Sequence, residues 1–168
     1  IDPVRDKEVI DTELQFKDLE SVEAQTKKLE KIAKAGNDKE AKKALYVLLR
    51  VKEKLEQGKS ARAAGLDEDE LELIKDLHLL TIKPILYVCN VDEASVTSGN
   101  KYVDALKEAT KDENAEVLMI TAQMEAEIAA LETYEERQLF LEEMGLTEPG
   151  VNKLIKAAYR LLNLETYF

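Results

Sequence analysis

Leu80-Thr81-Ile82-Lys83-Pro84-Ile85-Leu86-Tyr87-Val88-Cys89-Asn90-Val91-Asp92-Glu93 is the stretch whose reading decides the fold. Ile85 to Cys89 form a short unbroken apolar run, the pattern of a strand covered on both faces in a parallel sheet. Pro84 stands at its entrance, where a missing N–H does least harm. Asn90 and, three residues on, the carboxylate of Glu93 follow directly. They fall where open α/β sheets bind ligands, just beyond the carboxyl end of a strand.

Downstream, Ser98-Gly99-Asn100 reads as a turn before a helix from Lys101 to Thr110, and Glu116 to Thr121 reads as a second strand followed by Ala122 and Gln123. Further helices are expected over about Met124 to Glu132, Tyr134 to Met144 with Gly145 as its stop, and Val151 to Leu162. Strand, helix, strand, helix in this order means parallel pairing through right-handed crossovers. The expected fold class is α/β, the closing half of a doubly wound parallel sheet, although most residues of the chain are helical.

Upstream, the positions Phe16, Leu19, Val22, Thr26, Leu29 and Ala33 step by three and four residues, predicting one helix from about Asp11 to Ala35. Gly36 stops it, and Asn37 with Glu40 predicts the cap of a second helix carrying Ala41, Ala44, Leu45, Leu48, Val51 and Leu55 as far as Gly58. Two amphipathic helices joined by so short a turn pair antiparallel. Asp67 with Glu70 predicts another cap, opening a short helix with Leu71, Ile74, Leu77 and His78. The expected division is residues 1–12 leading into the hairpin, 13–66 as the helical hairpin, and 67–168 as the α/β part.

Charged residues make up 35% of the 168 and aromatics 5%, with no Trp, which favours a helix-rich soluble protein. No run approaches the apolar length of a membrane span, so no membrane partner is expected. Cys89 is the only cysteine, so an internal disulfide is excluded and a reducing, cytoplasmic setting is the simplest; a strand thiol of this kind is core rather than nucleophile. His78 is the only histidine and has no partner for metal binding. The net charge of −11 is uneven: 13 Lys or Arg stand against 9 Asp or Glu between Glu13 and Arg62. Lys27, Lys28, Lys31, Lys34, Lys39, Lys42 and Lys43 crowd around the hairpin turn. Their simplest reading is a solvated surface; the alternative is contact with RNA phosphates, which releases counterions and is salt-dependent. Gly58-Lys59-Ser60 imitates the end of a phosphate-binding loop, but the Gly required five residues before Gly58 is Glu53, and no strand precedes it.

Four stretches together carry a family resemblance. They are Asn90-Val91-Asp92-Glu93; Asp2-Pro3-Val4-Arg5-Asp6 with Asp11-Thr12-Glu13-Leu14; Ile120-Thr121-Ala122-Gln123; and Glu142-Glu143-Met144-Gly145-Leu146-Thr147-Glu148-Pro149-Gly150 running on to Leu164-Glu165-Thr166-Tyr167-Phe168. In this order they resemble the YchF (EngD) subfamily of Obg-related P-loop NTPases. The resemblance implies a G-domain interrupted by a helical coiled-coil insertion, with Glu93 standing where the base-reading motif usually ends in Asp. It implies base-binding roles for Asn90, Val91, Glu93, Thr121, Ala122 and Gln123. It also implies that this stretch is internal to a protein about twice as long, with the phosphate-binding loop before it and a TGS domain after it.

Glu93 sets its carboxylate one methylene further out than Asp, which weakens the double acceptance from guanine that the usual motif provides. The resemblance therefore implies that ATP is accepted as well as or better than GTP, with Mg2+, in the intact protein. The stretch alone carries no catalytic residue, is expected to hold no cofactor and to hydrolyse nothing, because catalysis in this class is phosphate positioning. Ribosome or RNA association is implied through the intact protein, and self-association of the stretch is expected from an uncovered sheet edge. Two functions are weighed: the base-recognition and hairpin portion of an ATPase/GTPase at the ribosome, and an RNA- or ribosome-binding module whose hairpin is the working surface and which nucleotide regulates.

Overall fold

The computed structural model describes residues 1–36, 38–113 and 115–165. Its backbone divides into two compact units, one of residues 5–83 and one of residues 1–4 with 84–168.

In the first unit, helix α1 (Pro3–Ala35) begins with a proline, whose missing N–H belongs to a helix end anyway. The helix therefore starts well before Asp11, where apolar periodicity alone placed it. Helix α2 (Lys39–Glu56) is capped by Asp38, whose Oδ1 accepts from the N–H groups of Glu40 and Ala41, each at 3.0 Å. The expected cap residue, Asn37, lies outside the described residues. Lys52 of α2 pairs with Glu23 of α1 at 3.2 Å, and the two stand about equally far from the turn, so the helices run antiparallel.

The buried seam of α1 is Asp18, Val22, Thr26 and Leu29. Phe16, expected in that seam, is 64% exposed, because two residues along a helix turn a side chain to the opposite side from Asp18. From α2, Ala41, Ala44, Val47, Leu48, Val51 and Leu55 close the core, joined by Ala61, Ile74 and Leu79 from the segment that follows. Helix α3 (Glu68–Ile74) opens with the expected reciprocal cap between Asp67 and Glu70, and Glu70 also pairs with Arg50 of α2. The helical stripe does not continue to His78: a 3-10 turn takes over at Lys75, and His78 closes it with φ 47°.

A polar knot completes this unit. Asp18 is 2% exposed, and its carboxylate accepts from the N–H groups of Leu80 and Thr81 and from the Thr81 hydroxyl, all at 2.7 Å. The Thr81 oxygen in turn accepts from the Ala61 N–H at 2.8 Å. A buried carboxylate is tolerable only with such full hydrogen bonding.

In the second unit, β1 (Leu86–Asn90) and β2 (Glu116–Ile120) pair in parallel, with Leu86 opposite Glu116 and Asn90 opposite Ile120. Helix α4 (Lys101–Thr110) makes the crossover that parallel strands require, capped by Asn100 and burying Val103 and Leu106. Helix α5 (Ala122–Ala130) leaves β2 directly, α6 (Tyr134–Glu143) ends before Gly145 at φ 67°, and α7 (Gly150–Leu161) lies against both strands. The expectation of strands covered on both faces is corrected here. Val88 is 43% exposed, and every residue of β2 is only half-buried, because two strands carry too few covering elements to enclose both faces.

Candidate functional site

The two strands end side by side, and the residues past their carboxyl ends are built into a single arrangement. Val91 extends the ladder by donating its N–H to the Ile120 carbonyl at 2.9 Å. Asn90 then reaches across: its Oδ1 accepts from the Ala122 N–H at 3.0 Å. Ala122 is the first residue of α5, so Asn90 satisfies one of the orphan N–H groups that every helix start leaves, from a neighbouring strand rather than from the helix's own cap.

Asp92 turns the chain. Its Oδ1 accepts from the Ser95 N–H at 3.0 Å and opens a 3-10 turn of Glu93–Ser95. With Asp92 occupied in this way, Glu93 is left as the exposed carboxylate of the loop, and it makes no side-chain hydrogen bond among the described residues.

Together these loops enclose an open cleft of ≈ 470 Å³, within the range of small-ligand sites, lined by Asn90, Val91, Asp92, Glu93, Ala94, Thr121 and Gln123. Thr121 is the cap position of α5, but its hydroxyl neither caps the helix nor finds any partner, although the residue is only 5% exposed. A buried hydroxyl without a partner is uncommon and costs free energy until something bonds to it.

Five of the six base-site residues read from sequence thus share the cleft wall. The sixth, Ala122, is not part of the lining, and its N–H is committed to Asn90. Gln123 folds its amide back along α5, Nε2 donating to Glu127 Oε1 at 3.2 Å. Asp92 was missed as a lining residue because an Asp one place before the expected acceptor has no signature of its own; its capping distance to Ser95 was the available signal.

Burial pushes the Cys89 thiol up from its ordinary value, against the opposing pull of Lys107, which fits a strand thiol rather than a nucleophile. Gly58, at φ 69°, ends α2, so the Gly-Lys-Ser sequence follows a helix and forms no phosphate loop.

The seven tip lysines are all exposed. They are divided, however. Lys27, Lys28, Lys31 and Lys34 sit on the last turns of α1. Lys39, Lys42 and Lys43 line a larger cleft of ≈ 830 Å³ whose other wall is acidic, with Asp67, Asp69, Glu70 and Glu72.

Over its full length the chain is 47% identical across 170 residues to the ribosome-binding ATPase YchF of Bacillus subtilis (strain 168), of which it covers 46%. It is 44% identical across 168 residues to the ribosome-binding ATPase YchF of Haemophilus influenzae, again covering 46%. The chain belongs to the YchF family. A eukaryotic relative, the Obg-like ATPase 1 of Caenorhabditis elegans, is 35% identical across 170 residues, of which the chain covers 43%. The chain therefore spans about half the length of the curated YchF relatives it matches. No family model matches it. No described helix is long and apolar enough to cross a membrane.

Proposed function

We propose that this chain supplies the base-reading loops and the helical hairpin of a YchF-type nucleoside triphosphatase that binds and hydrolyses ATP, with GTP as the weaker substrate, and works at the ribosome. The observation that carries the reading is the Asn90–Ala122 hydrogen bond, which ties two loops at the carboxyl ends of parallel strands around one cleft. The relatives' names, ribosome-binding ATPases, supply the reaction and the partner.

In this reading the strands belong to a doubly wound sheet, and the hairpin is a coiled-coil insertion. Asn90 serves as the brace of the site rather than as a direct reader. Glu93, exposed and unbonded, accepts from the exocyclic amino group of adenine, and Val91 lays an apolar surface against the ring. Thr121 lines the same cleft, with its unpartnered hydroxyl buried beneath the surface. Among the described residues no group of three or more His, Cys, Asp or Glu could hold a metal ion. Phosphate positioning and hydrolysis belong to other parts of the full-length protein.

A second reading is favoured by the exposed lysines of α1: a nucleotide-regulated module that grips RNA through the hairpin tip. The two readings differ in whether the base site is tuned for turnover or only for switching.

The test is calorimetry on the full-length protein with ATP and GTP. Glu93→Asp returns the carboxylate to the depth at which it accepts from both guanine donors. It is expected to move the ratio of dissociation constants toward GTP by about 1–3 kcal/mol, the scale of one good bidentate base contact. An unchanged ratio would show that Glu93 does not read the base.

A further inference from the structure

α5 and α7 are joined by a contact that no sequence pattern announced. The Glu125 carboxylate, one turn into α5, accepts from two successive N–H groups at the start of α7: Oε1 from Gly150 at 2.6 Å and Oε2 from Val151 at 3.1 Å. Pro149, just before them, has no N–H to offer, and no side chain of its own loop caps α7. A carboxylate at a helix start satisfies orphan donors and favours the positive end of the helix dipole.

The approach is close: a Cβ on Gly150 would lie 2.8 Å from Glu125 Oε1 and 3.0 Å from Ile120 Cγ2, so a side chain there would push the carboxylate aside and shift Ile120 by a few tenths of an ångström. Ile120 is the last residue of β2, it stands opposite Asn90, and its carbonyl receives the Val91 N–H. Gly150 therefore packs close to the residue that leads into the 121–123 loop and receives the Val91 N–H of the other loop, while Glu125 anchors the helix that begins in that same 121–123 loop.

We infer that Glu125 and Gly150 are positioning residues for base recognition: their contact holds the first turn of α5 at the distance at which Asn90 can bond to Ala122 and Thr121 can face the cleft. The inference rests on the reading of that cleft as the base site. The physical reason is that α5 packs into its unit through few buried side chains, Met124 and Ile128, so its rotation needs a polar anchor as well. A site is only as well placed as the elements that support it.

The experiment compares ATP with inorganic tripolyphosphate, which has the phosphates but no base, as ligands of the full-length protein. Glu125→Ala and Gly150→Ala are each expected to weaken ATP on the order of tenfold, while tripolyphosphate binding stays unchanged, since only the base loops have moved. Because both variants break one contact, the double variant is expected to be no worse than the weaker single. Glu125→Gln keeps one acceptor oxygen, and an intermediate loss is expected. Asn90→Ala is the reference for the base site itself. If Asn90→Ala leaves the ratio of ATP to tripolyphosphate affinity unaltered, the base-site reading fails and this inference falls with it. If Asn90→Ala lowers the ratio but neither Glu125 variant does, only the positioning role is overturned. A parallel loss of ATP and tripolyphosphate in Glu125→Gln also overturns it, because the contact would then be general scaffolding.

Discussion

The two units bury their apolar residues in different ways. In residues 5–83 one continuous cluster of buried side chains runs from Val22 to Leu79, with Val22, Leu48 and Val51 all but sealed from solvent. Among the described residues of the α/β unit the buried apolar side chains are Val103, Leu106, Met124, Ile128, Leu141 and Ala157, and neither strand contributes a fully buried residue. Directional bonds hold what the core does not. Asn90 to Ala122 and Glu125 to the start of α7 tie the elements around the cleft, and Arg160 of α7 pairs with Glu116 at the opposite, amino end of β2 at 2.6 Å. A hydrophobic seam gives the hairpin its shape with little demand on angles, whereas a recognition site needs angles fixed, which hydrogen bonds do.

The most severe break of this contrast is to take from the hairpin the buried polar knot at Asp18. Asp18→Ala leaves the buried Thr81 N–H and hydroxyl and the half-buried Leu80 N–H without their acceptor, and a loss of about 3–5 kcal/mol is expected from about 1–3 kcal/mol for each buried group left unsatisfied. Urea unfolding followed by circular dichroism checks it. Asp18→Asn, which keeps one acceptor oxygen, is expected to recover part of the loss. A change below about 1 kcal/mol for Asp18→Ala would mean that the apolar seam alone fixes the 80–81 segment.

Asp18 also marks where the sequence stopped being legible. Helix spacing gave the hairpin, and the capping pair of α3 stands as read, because each signal lies within a few residues of its effect. Asp18 bonds across more than sixty positions to Leu80 and Thr81, and a charge in an apolar stripe reads as a surface residue until its partners are known. The cleft divides in the same way. Asn90, Val91, Glu93, Thr121 and Gln123 were named through the family resemblance, and all five line one cleft. The engagement of the Ala122 N–H by Asn90, the unpartnered Thr121 hydroxyl and the Glu125 anchor arise only from pairing and packing. The strand bounds shifted by one residue, since an apolar run does not say which of its residues enters the ladder.

The next effect, intermediate in size, sharpens the contrast within the hairpin itself. Lys27, Lys28, Lys31 and Lys34 stand apart from the acidic wall that Lys39, Lys42 and Lys43 share with α3. If the tip grips RNA, reversing the four α1 lysines to Glu is expected to weaken ribosome or RNA binding by about tenfold near 0.1 M salt. It should also flatten the dependence of log K on log salt by roughly 0.7–0.9 for each phosphate no longer neutralised. Reversing the three α2 lysines is expected to do less, because their charge is already balanced across the groove. Binding over a salt series measures both slopes. Equal slopes for the two variants and the native protein would return the tip to an ordinary solvated surface.

The smallest effect compares one motif in the two units. α3 and α6 open with the same reciprocal cap, Asp67 with Glu70 and Thr133 with Glu136, but α3 is also held by Ile74 in the hairpin core and by Arg50, whereas α6 buries only Leu141 and leaves Tyr134 and Leu139 exposed. A cap should therefore matter more to local order in α6. Thr133→Ala is expected to speed amide exchange in the first turn of α6 by about fivefold, and Asp67→Ala to change exchange in α3 by less, because opening α3 also uncovers core. Acid gives a second handle. Bonds from the Thr133 N–H and then its hydroxyl hold the Glu136 carboxyl below the usual carboxylate range. A carboxyl depressed in the folded state adds stability that is fully present above its unfolded pKa and is lost as pH falls through the folded one. Protection from exchange at the start of α6 is thus expected to be high at neutral pH and to fall as the pH drops below the ordinary glutamate range, with the fall absent in Glu136→Gln. If Thr133→Ala and Asp67→Ala open their helices equally, the α/β unit is as well packed around α6 as the hairpin is around α3, and the contrast between a core-held arm and a bond-held site fails at that helix.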